Sequence, residues 1–198
     1  MRRRKEQQGA GSPAAEARLR QSAVNPPTKE SFLAAARQAL ASASPQQAMR
    51  ALLVATVSAL HARTGSWLEH DSDELLLASS PELTVYHITL SPRIRYPPHE
   101  HRMPAMIALY HGAETSFSYR RNGRALVQTK RLDHAAPCVA DLPADAIHSV
   151  VNLGDARSAA IHVYFGDLTA VERSIWDAGL REERPFDNRF YFEQARRL

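Results

Sequence analysis

Three histidines stand at spacings that suit a single metal ion. His99 and His101 lie two residues apart in the segment PPHEH at positions 97–101. Because residues i and i+2 of a β-strand project from the same face, these two imidazoles can reach one ion. His148 lies at the start of a predicted strand, which follows the turn segment PADA at positions 143–146. Imidazole suits iron, zinc, copper and nickel alike, so the pattern predicts a transition-metal site without naming the metal.

The two histidine segments resemble the two sequence motifs of the cupins. The first motif has the form G-x5-H-x-H-x3-E-x6-G, and three residues fall in register with it: His99, His101 and Gly112. The second has the form G-x5-P-x-G-x2-H-x3-N, and three more fall in register: Pro143, His148 and Asn152. The resemblance covers about residues 75–167. It implies a mainly β fold, the cupin jelly-roll or double-stranded β-helix barrel, with a metal ion held inside it by the three histidines.

The departures from the motifs affect the predicted chemistry. The glutamate ligand of the first motif falls on Ala105, which cannot bind a metal. Three motif glycines are replaced as well, at positions that shape turns rather than bind metal: Arg93, Pro137 and Asp145. Three neutral imidazoles leave the full charge of a divalent ion uncompensated. Such a centre favours an anionic group from the substrate, such as a thiolate or a carboxylate.

Among cupins, the chain resembles the cysteine dioxygenase-like thiol dioxygenases. The resemblance rests on positions 97–101, 143–150 and 159–164, and on the RSIW and PFD segments that begin at 173 and 185. It implies an oxidoreductase that uses Fe(II) and O2 to convert a small thiol, cysteine-like or mercaptopropionate-like, into a sulfinate. The Ser-x-His-x-Tyr relay of this family reads Ala160, His162 and Tyr164 here, three residues that share one strand face. Tyr164 would hydrogen-bond oxygen or substrate, and His162 would orient the phenol. A buried Tyr–His pair without a catalytic role is the alternative interpretation.

The substrate anchor differs from that family. Cysteine dioxygenases hold the substrate carboxylate with an arginine upstream of the first motif, whereas the corresponding stretch here, positions 73–81, contains none. Either the substrate is not an amino acid like cysteine, or another arginine serves. Arg173 is the leading candidate for substrate binding, and Arg93 and Arg95 are weaker ones. Two other functions stay open: carbon–carbon bond cleavage by a three-histidine dioxygenase, and metal or ligand binding without turnover.

The elements that must position these residues follow from periodicity. Apolar residues at helical spacing predict one helix from Lys29 to about Ala41 and a second that starts at a Ser44 capping box and stops near Gly65. From position 67 onward, short runs rich in β-branched and aromatic residues predict a barrel, and Asn122-Gly123 predicts a hairpin turn. The predicted strands are 74–78, 83–90, 105–110, 115–121, 125–130, 147–151 and 159–165.

Composition places these elements in one domain with appendages. Hydrophobic residues make up 44% of the 198 residues, enough for a real core. Residues 1–27 read as a disordered basic tail, 28–65 as a helical pair, and 66–198 as the barrel with a C-terminal extension. The first 30 residues carry the whole net charge of +4, so no nucleic-acid-binding face is expected on the fold. No membrane segment or secretory signal is expected either. The single cysteine, Cys138, favours a cytoplasmic protein, and the oligomeric state stays open.

Overall fold

A computed structural model of the chain describes residues 26–63 and 66–198. Most of the predicted basic tail and the predicted helix stop at Gly65 lie outside these residues. Three helices lie within these ranges: α1 (Lys29–Leu40), α2 (Pro45–His61) and α3 (Asn188–Glu193). No helix within the described ranges is long and apolar enough to cross a membrane.

Helices α1 and α2 begin where the sequence predicted, but the capping box predicted for α2 is wrong. Thr28 precedes α1, and its side chain accepts a hydrogen bond from the Ser31 amide at 3.2 Å. Ser44 stands at the N-cap of α2 and Pro45 follows it, as predicted, but the Ser44 side chain makes no capping hydrogen bond. Its backbone, at φ −135° and ψ 73°, differs from the extended conformation in which such caps form. The capping box is therefore absent, although the helix begins where it was expected.

In the part of the chain that the structure describes, thirteen strands form two antiparallel sheets. All seven predicted strands are among them: β1 (Glu74–Ser80), β2 (Leu83–Leu90), β5 (Ala105–His111), β6 (Ala113–Asn122), β7 (Ala125–Ala135), β9 (Ile147–Val151) and β10 (Ser158–Tyr164). Six further strands, each of two to five residues, were not among those predicted: β3 (Ile94–Arg95), β4 (His99–Glu100), β8 (Cys138–Leu142), β11 (Ser174–Trp176), β12 (Glu183–Pro185) and β13 (Arg196–Arg197).

The strand order is that of a jelly roll. One sheet runs β1-β2-β10-β5-β8. In the other, β9 pairs with β4 and β3 on one side and with β6 on the other, and β6 pairs in turn with β7. The chain thus alternates between the two sheets, so that β2-β10-β5-β8 opposes β4-β9-β6-β7. This confirms the predicted mainly β, double-stranded β-helix barrel.

Helices α1 and α2 pack on the outer face of the first sheet. Alternate residues of β2 point to opposite faces: Val85 joins the core beneath the helices, whereas Ile88 faces the barrel interior. Phe32 of α1 and Leu53 of α2 are fully buried in the same core. Burying a side chain of this size contributes about 1.5–3 kcal/mol. The helical pair therefore stabilises the sheet whose inner face carries part of the site.

The C-terminal extension folds across the second sheet. Trp176 is completely buried, and its amide donates to the Pro98 carbonyl at 2.9 Å, directly before the first histidine. Strand β11 continues the sheet next to β4. Tyr191 of α3 is also buried and packs with Phe186 against residues of the barrel interior. The extension thus closes one side of the interior cavity.

Candidate metal centre

The three predicted histidines converge on one point inside the barrel. His99 lies on β4 with His101 just after it, and His148 lies on the neighbouring strand β9. In the β4–β9 register His99 is directly opposite His148. All three side chains are buried, with at most 7% of any residue exposed. One ring nitrogen from each lies within 4.8 Å of the others, so a three-histidine metal site is present.

The nitrogen positions fit a shared ion. The Nε2 atoms of His101 and His148 are 3.4 Å apart. Two nitrogens each about 2.1 Å from one ion lie roughly 3.0–3.4 Å apart at octahedral and tetrahedral angles. The Nδ1 atom of His99 is 3.1 Å from the Pro97 carbonyl, which holds that ring with Nε2 free to bind. No carboxylate among the described residues joins the cluster, and Ala105, at the motif's glutamate position, is buried beside Tyr164.

Burial keeps the three imidazoles in the form that binds metal. It lowers the pKa of His148 to about 4. It also lowers the pKa of His99 and of His101 well below the usual range, and neighbouring positive groups add to the effect. A neutral imidazole offers a lone pair to a metal, whereas a protonated one cannot. The donor set is therefore ready to bind at neutral pH.

Glu100 secures the strand between the two histidines. Its side chain points away from theirs and is almost fully buried. Its carboxylate accepts hydrogen bonds from Arg102 Nε at 2.7 Å, from Arg121 Nη2 at 2.9 Å and from the Ser174 amide at 3.1 Å. Glu100 was not among the residues predicted for the site, although its place between two predicted ligands could have suggested a supporting role. These bonds tie β4 to β6 and β11 and so hold His99 and His101 in place.

Tyr164 and His162 both face the metal cavity. His162 Nδ1 is 3.1 Å from the Tyr164 hydroxyl oxygen, and the Tyr164 ring lies 4.8 Å from that of His101. The Nε2 atom of His162 is buried without a hydrogen-bond partner among the described residues. A buried N–H without a partner costs more than a free lone pair, so the proton belongs on Nδ1. Nδ1 then donates to the phenol oxygen, and the Tyr164 O–H is free to donate into the cavity.

Arg173 lies on the same cavity. Its guanidinium carbon stands 3.2 Å from the centroid of the Phe186 ring, and its Nη1 makes a long contact of 3.5 Å to the Glu100 carbonyl. Burial lowers the pKa of Arg173 from its usual value, and Coulombic interactions with Tyr164 and Glu74 act in the opposite direction. The two weaker candidates lie elsewhere. Arg93 pairs with Asp155 at 2.8 Å, and Arg95 stacks on Phe117; neither lines the cavity.

The cavity is small and mostly aromatic. It offers about 50 Å³ to the centres of water molecules, room for about three to five waters. Several lining residues were missed in the sequence: Glu74, Tyr86, Tyr96, Phe186 and Tyr191. Tyr86 could have been found, because it shares a strand face with Ile88 and Leu90. Tyr191 could not, because no local pattern shows that α3 folds back over the barrel.

Comparisons with known proteins add a distant likeness of fold. No protein-family model matches the sequence, and no curated protein matches it. Solved structures with a similar fold include oxalate decarboxylase from Bacillus subtilis at pH 4.6, with 19% identity over 44% of this chain and 22% of that chain, and a TM-score of 0.38. Another oxalate decarboxylase structure shows 17% identity over 50% of this chain and 27% of that chain, with a TM-score of 0.40. The chain spans about a quarter of the length of these proteins.

The strand order and the histidine cluster define the class of protein without help from these likenesses. The chain is a double-stranded β-helix (jelly-roll) barrel with a three-histidine metal site in its interior.

Proposed function

We propose that this protein is an Fe(II)-dependent thiol dioxygenase that oxidises a small thiol to a sulfinate. One observation carries the proposal: the three-histidine site shares one small cavity with the Tyr164–His162 pair and with Arg173. In the overall reaction, RSH + O2 gives RSO2H. The sulfur atom loses four electrons, O2 gains four, and both oxygen atoms enter the product. When bound, iron would supply the redox chemistry that couples O2 to sulfur.

The donor set supports a thiolate substrate. His99, His101 and His148 are neutral, and no carboxylate among the described residues joins them. A divalent ion held by neutral ligands keeps its charge and attracts an anionic sulfur. The cavity volume restricts the substrate to a few non-hydrogen atoms.

Arg173 supports a carboxylate on that substrate. Its planar guanidinium can hold both oxygens of a carboxylate, and Phe186 restricts its orientation by stacking. Within the described ranges, Arg173 forms no ion pair with the protein. A ligand carboxylate would supply that missing partner.

Tyr164 supports the oxidation step. With its proton on Nδ1, His162 donates to the phenol oxygen and leaves the Tyr164 O–H free to donate into the cavity beside His101. A fixed donor of this kind stabilises negative charge that develops on oxygen, without reorganisation at the moment of reaction. Burial raises the pKa of Tyr164 from its usual value, so the phenol keeps its proton and acts as a donor.

Two alternatives remain as outcomes of the test. A three-histidine dioxygenase that cleaves carbon–carbon bonds fits the metal site comparably, and a binding protein without turnover needs only the site. Oxygen uptake by the iron-loaded protein should therefore be followed with small thiols and, separately, with a diketone. Uptake that requires a thiol supports the proposal. Uptake with the diketone alone favours carbon–carbon cleavage, and metal binding without any uptake favours the binding protein.

Metal-site variants control for free iron in this assay. His148→Ala removes one of three ligands and should abolish both stoichiometric iron and uptake. His134→Ala is the matched control, because His134 lies on β7 outside the cavity and should leave both unchanged. Stoichiometric iron in a variant lacking all three histidines would show that the site is assigned wrongly.

A further inference from the structure

Two opposite charges line the cavity without neutralising each other. Arg173 supplies the positive charge and Glu74, on β1, the negative one. Within residues 26–63 and 66–198, the Glu74 carboxylate accepts no hydrogen bond and forms no ion pair, and no nitrogen of Arg173 lies within 4.0 Å of it. Asp73, the neighbouring carboxylate, provides a contrast. It pairs with Arg157 at 2.6 Å and accepts hydrogen bonds from Ser91 and Tyr96.

An unpaired carboxylate in such a place destabilises the empty site. Glu74 is partly buried among aromatic residues, and burial raises its pKa, with Arg173 acting in the opposite direction. A buried charge is costly unless a partner and hydrogen bonds compensate it. Glu74 is not part of the cluster of metal-ligating atoms, so a metal at the three histidines does not supply that partner directly. A cationic group on the ligand would.

We propose that Glu74 is a specificity-determining residue that binds the amine of the substrate, while Arg173 holds its carboxylate. The substrate class is then a small amino thiol, whose ammonium and carboxylate match the two unpaired charges of the cavity. This inference rests on the proposed thiol oxidation, because it assumes that the substrate sulfur lies at the histidines.

Binding measurements with matched thiols test the role of Glu74. The iron-loaded protein is titrated by calorimetry without oxygen, so that no turnover occurs. The ligands are cysteine, cysteamine, which lacks the carboxylate, and 3-mercaptopropionate, which lacks the amine. Glu74→Gln should weaken cysteine and cysteamine about 10-fold or more, as expected for the loss of a charge-assisted hydrogen bond, and should change 3-mercaptopropionate by less than about 3-fold. Glu69→Gln removes the same charge at an exposed position outside the cavity and should change nothing.

A second measurement does not depend on the variant folding. Wild-type protein should bind cysteamine about 10-fold more tightly than 2-mercaptoethanol, in which a neutral hydroxyl replaces the ammonium. Thiols that bind without this preference, or that respond equally to Glu74→Gln, would overturn the role of Glu74 and leave the proposed oxidation standing. If wild-type protein binds no thiol at all, the proposed function fails, and this inference fails with it.

Discussion

Replacing Glu100 by Gln should lower the metal affinity of the histidine site although all three histidines are kept. The Glu100 carboxylate is almost fully buried and accepts three hydrogen bonds, from Arg102, Arg121 and the Ser174 amide. Glutamine keeps one acceptor oxygen, but its amide group places N–H donors towards guanidinium donors. At least one of the three bonds is therefore lost, and the buried charge that favours the other two disappears.

The size of the effect follows from the exposure of each partner. A hydrogen bond to a charged group contributes about 1.5–3 kcal/mol. The Arg102 and Arg121 side chains are 52% and 39% exposed, so solvent screening reduces their pairs to about 1 kcal/mol each at most. The Ser174 amide is buried and undergoes no such reduction. We expect Glu100→Gln to cost about 2–3 kcal/mol of unfolding free energy and, through the position of His99 and His101, about 10-fold or more in metal affinity.

Urea unfolding at pH 7 and metal titration measure the two effects. Glu183→Gln is the matched control, because Glu183 shares Arg121 at 3.0 Å but has a more exposed side chain; it should cost less than about 1 kcal/mol. Burial alone would raise the pKa of Glu100, yet the hydrogen bonds from Arg102 and Arg121 lower it overall. The contribution of Glu100 to the free energy of unfolding is therefore present above its ordinary pKa of 4.5. It is lost as the pH falls through the lower pKa of the folded state. Equal effects of the two variants, or unchanged metal affinity in Glu100→Gln, would refute the role of Glu100 as the support of β4.

Three further predictions address the cavity and the core. Tyr164→Phe should keep the iron and slow kcat about 10-fold or more; unchanged turnover and unchanged coupling of oxygen uptake to product would reduce Tyr164 to a packing residue. Arg173→Ala should raise KM for a thiol carboxylate with little loss of iron, whereas KM for cysteamine should hardly change. Equal changes in KM for both substrates would assign Arg173 to the packing of the C-terminal extension. Burial raises the pKa of Glu114 from 4.5 to about 7. Its contribution to the free energy of unfolding is therefore complete below pH 4.5 and is lost as the pH rises through 7. Glu114→Gln should therefore gain stability over wild type by roughly 2–3 kcal/mol between pH 4.5 and 8, and parallel urea-unfolding profiles for the two proteins would contradict that assignment.

Local sequence patterns predicted the frame of the molecule well. Strands β2 and β9 begin and end at the predicted residues, since both are rich in β-branched residues and each follows a turn segment. The spacing of His99 and His101 predicted that both side chains would reach one point, and their ligand atoms lie within 4.8 Å of each other and of His148. These features follow from the direction of side chains, which repeats every two residues in a strand and every 3.6 residues in a helix. A single segment of sequence is long enough to show either repeat.

Features created by long-range packing could not be predicted in this way. Glu74 reaches the cavity only because β1 pairs beside β2, and nothing in its own segment distinguishes it from a surface glutamate. The two-residue strand β4 owes its conformation to neighbours on both sides, β9 and β11. Tyr191 closes the cavity through a fold of the C-terminal extension that has no periodic signal.

Isotope labelling of the product tests the proposed thiol oxidation most directly. Iron-loaded protein is given cysteine under 18O2, and the masses of the products are determined by mass spectrometry. His148→Ala is the control for free iron. The proposed function predicts a sulfinate that carries two 18O atoms in the wild-type reaction and none of this product with the variant. Disulfide as the only product, a sulfinate without 18O, or the same labelled yield from His148→Ala would contradict it.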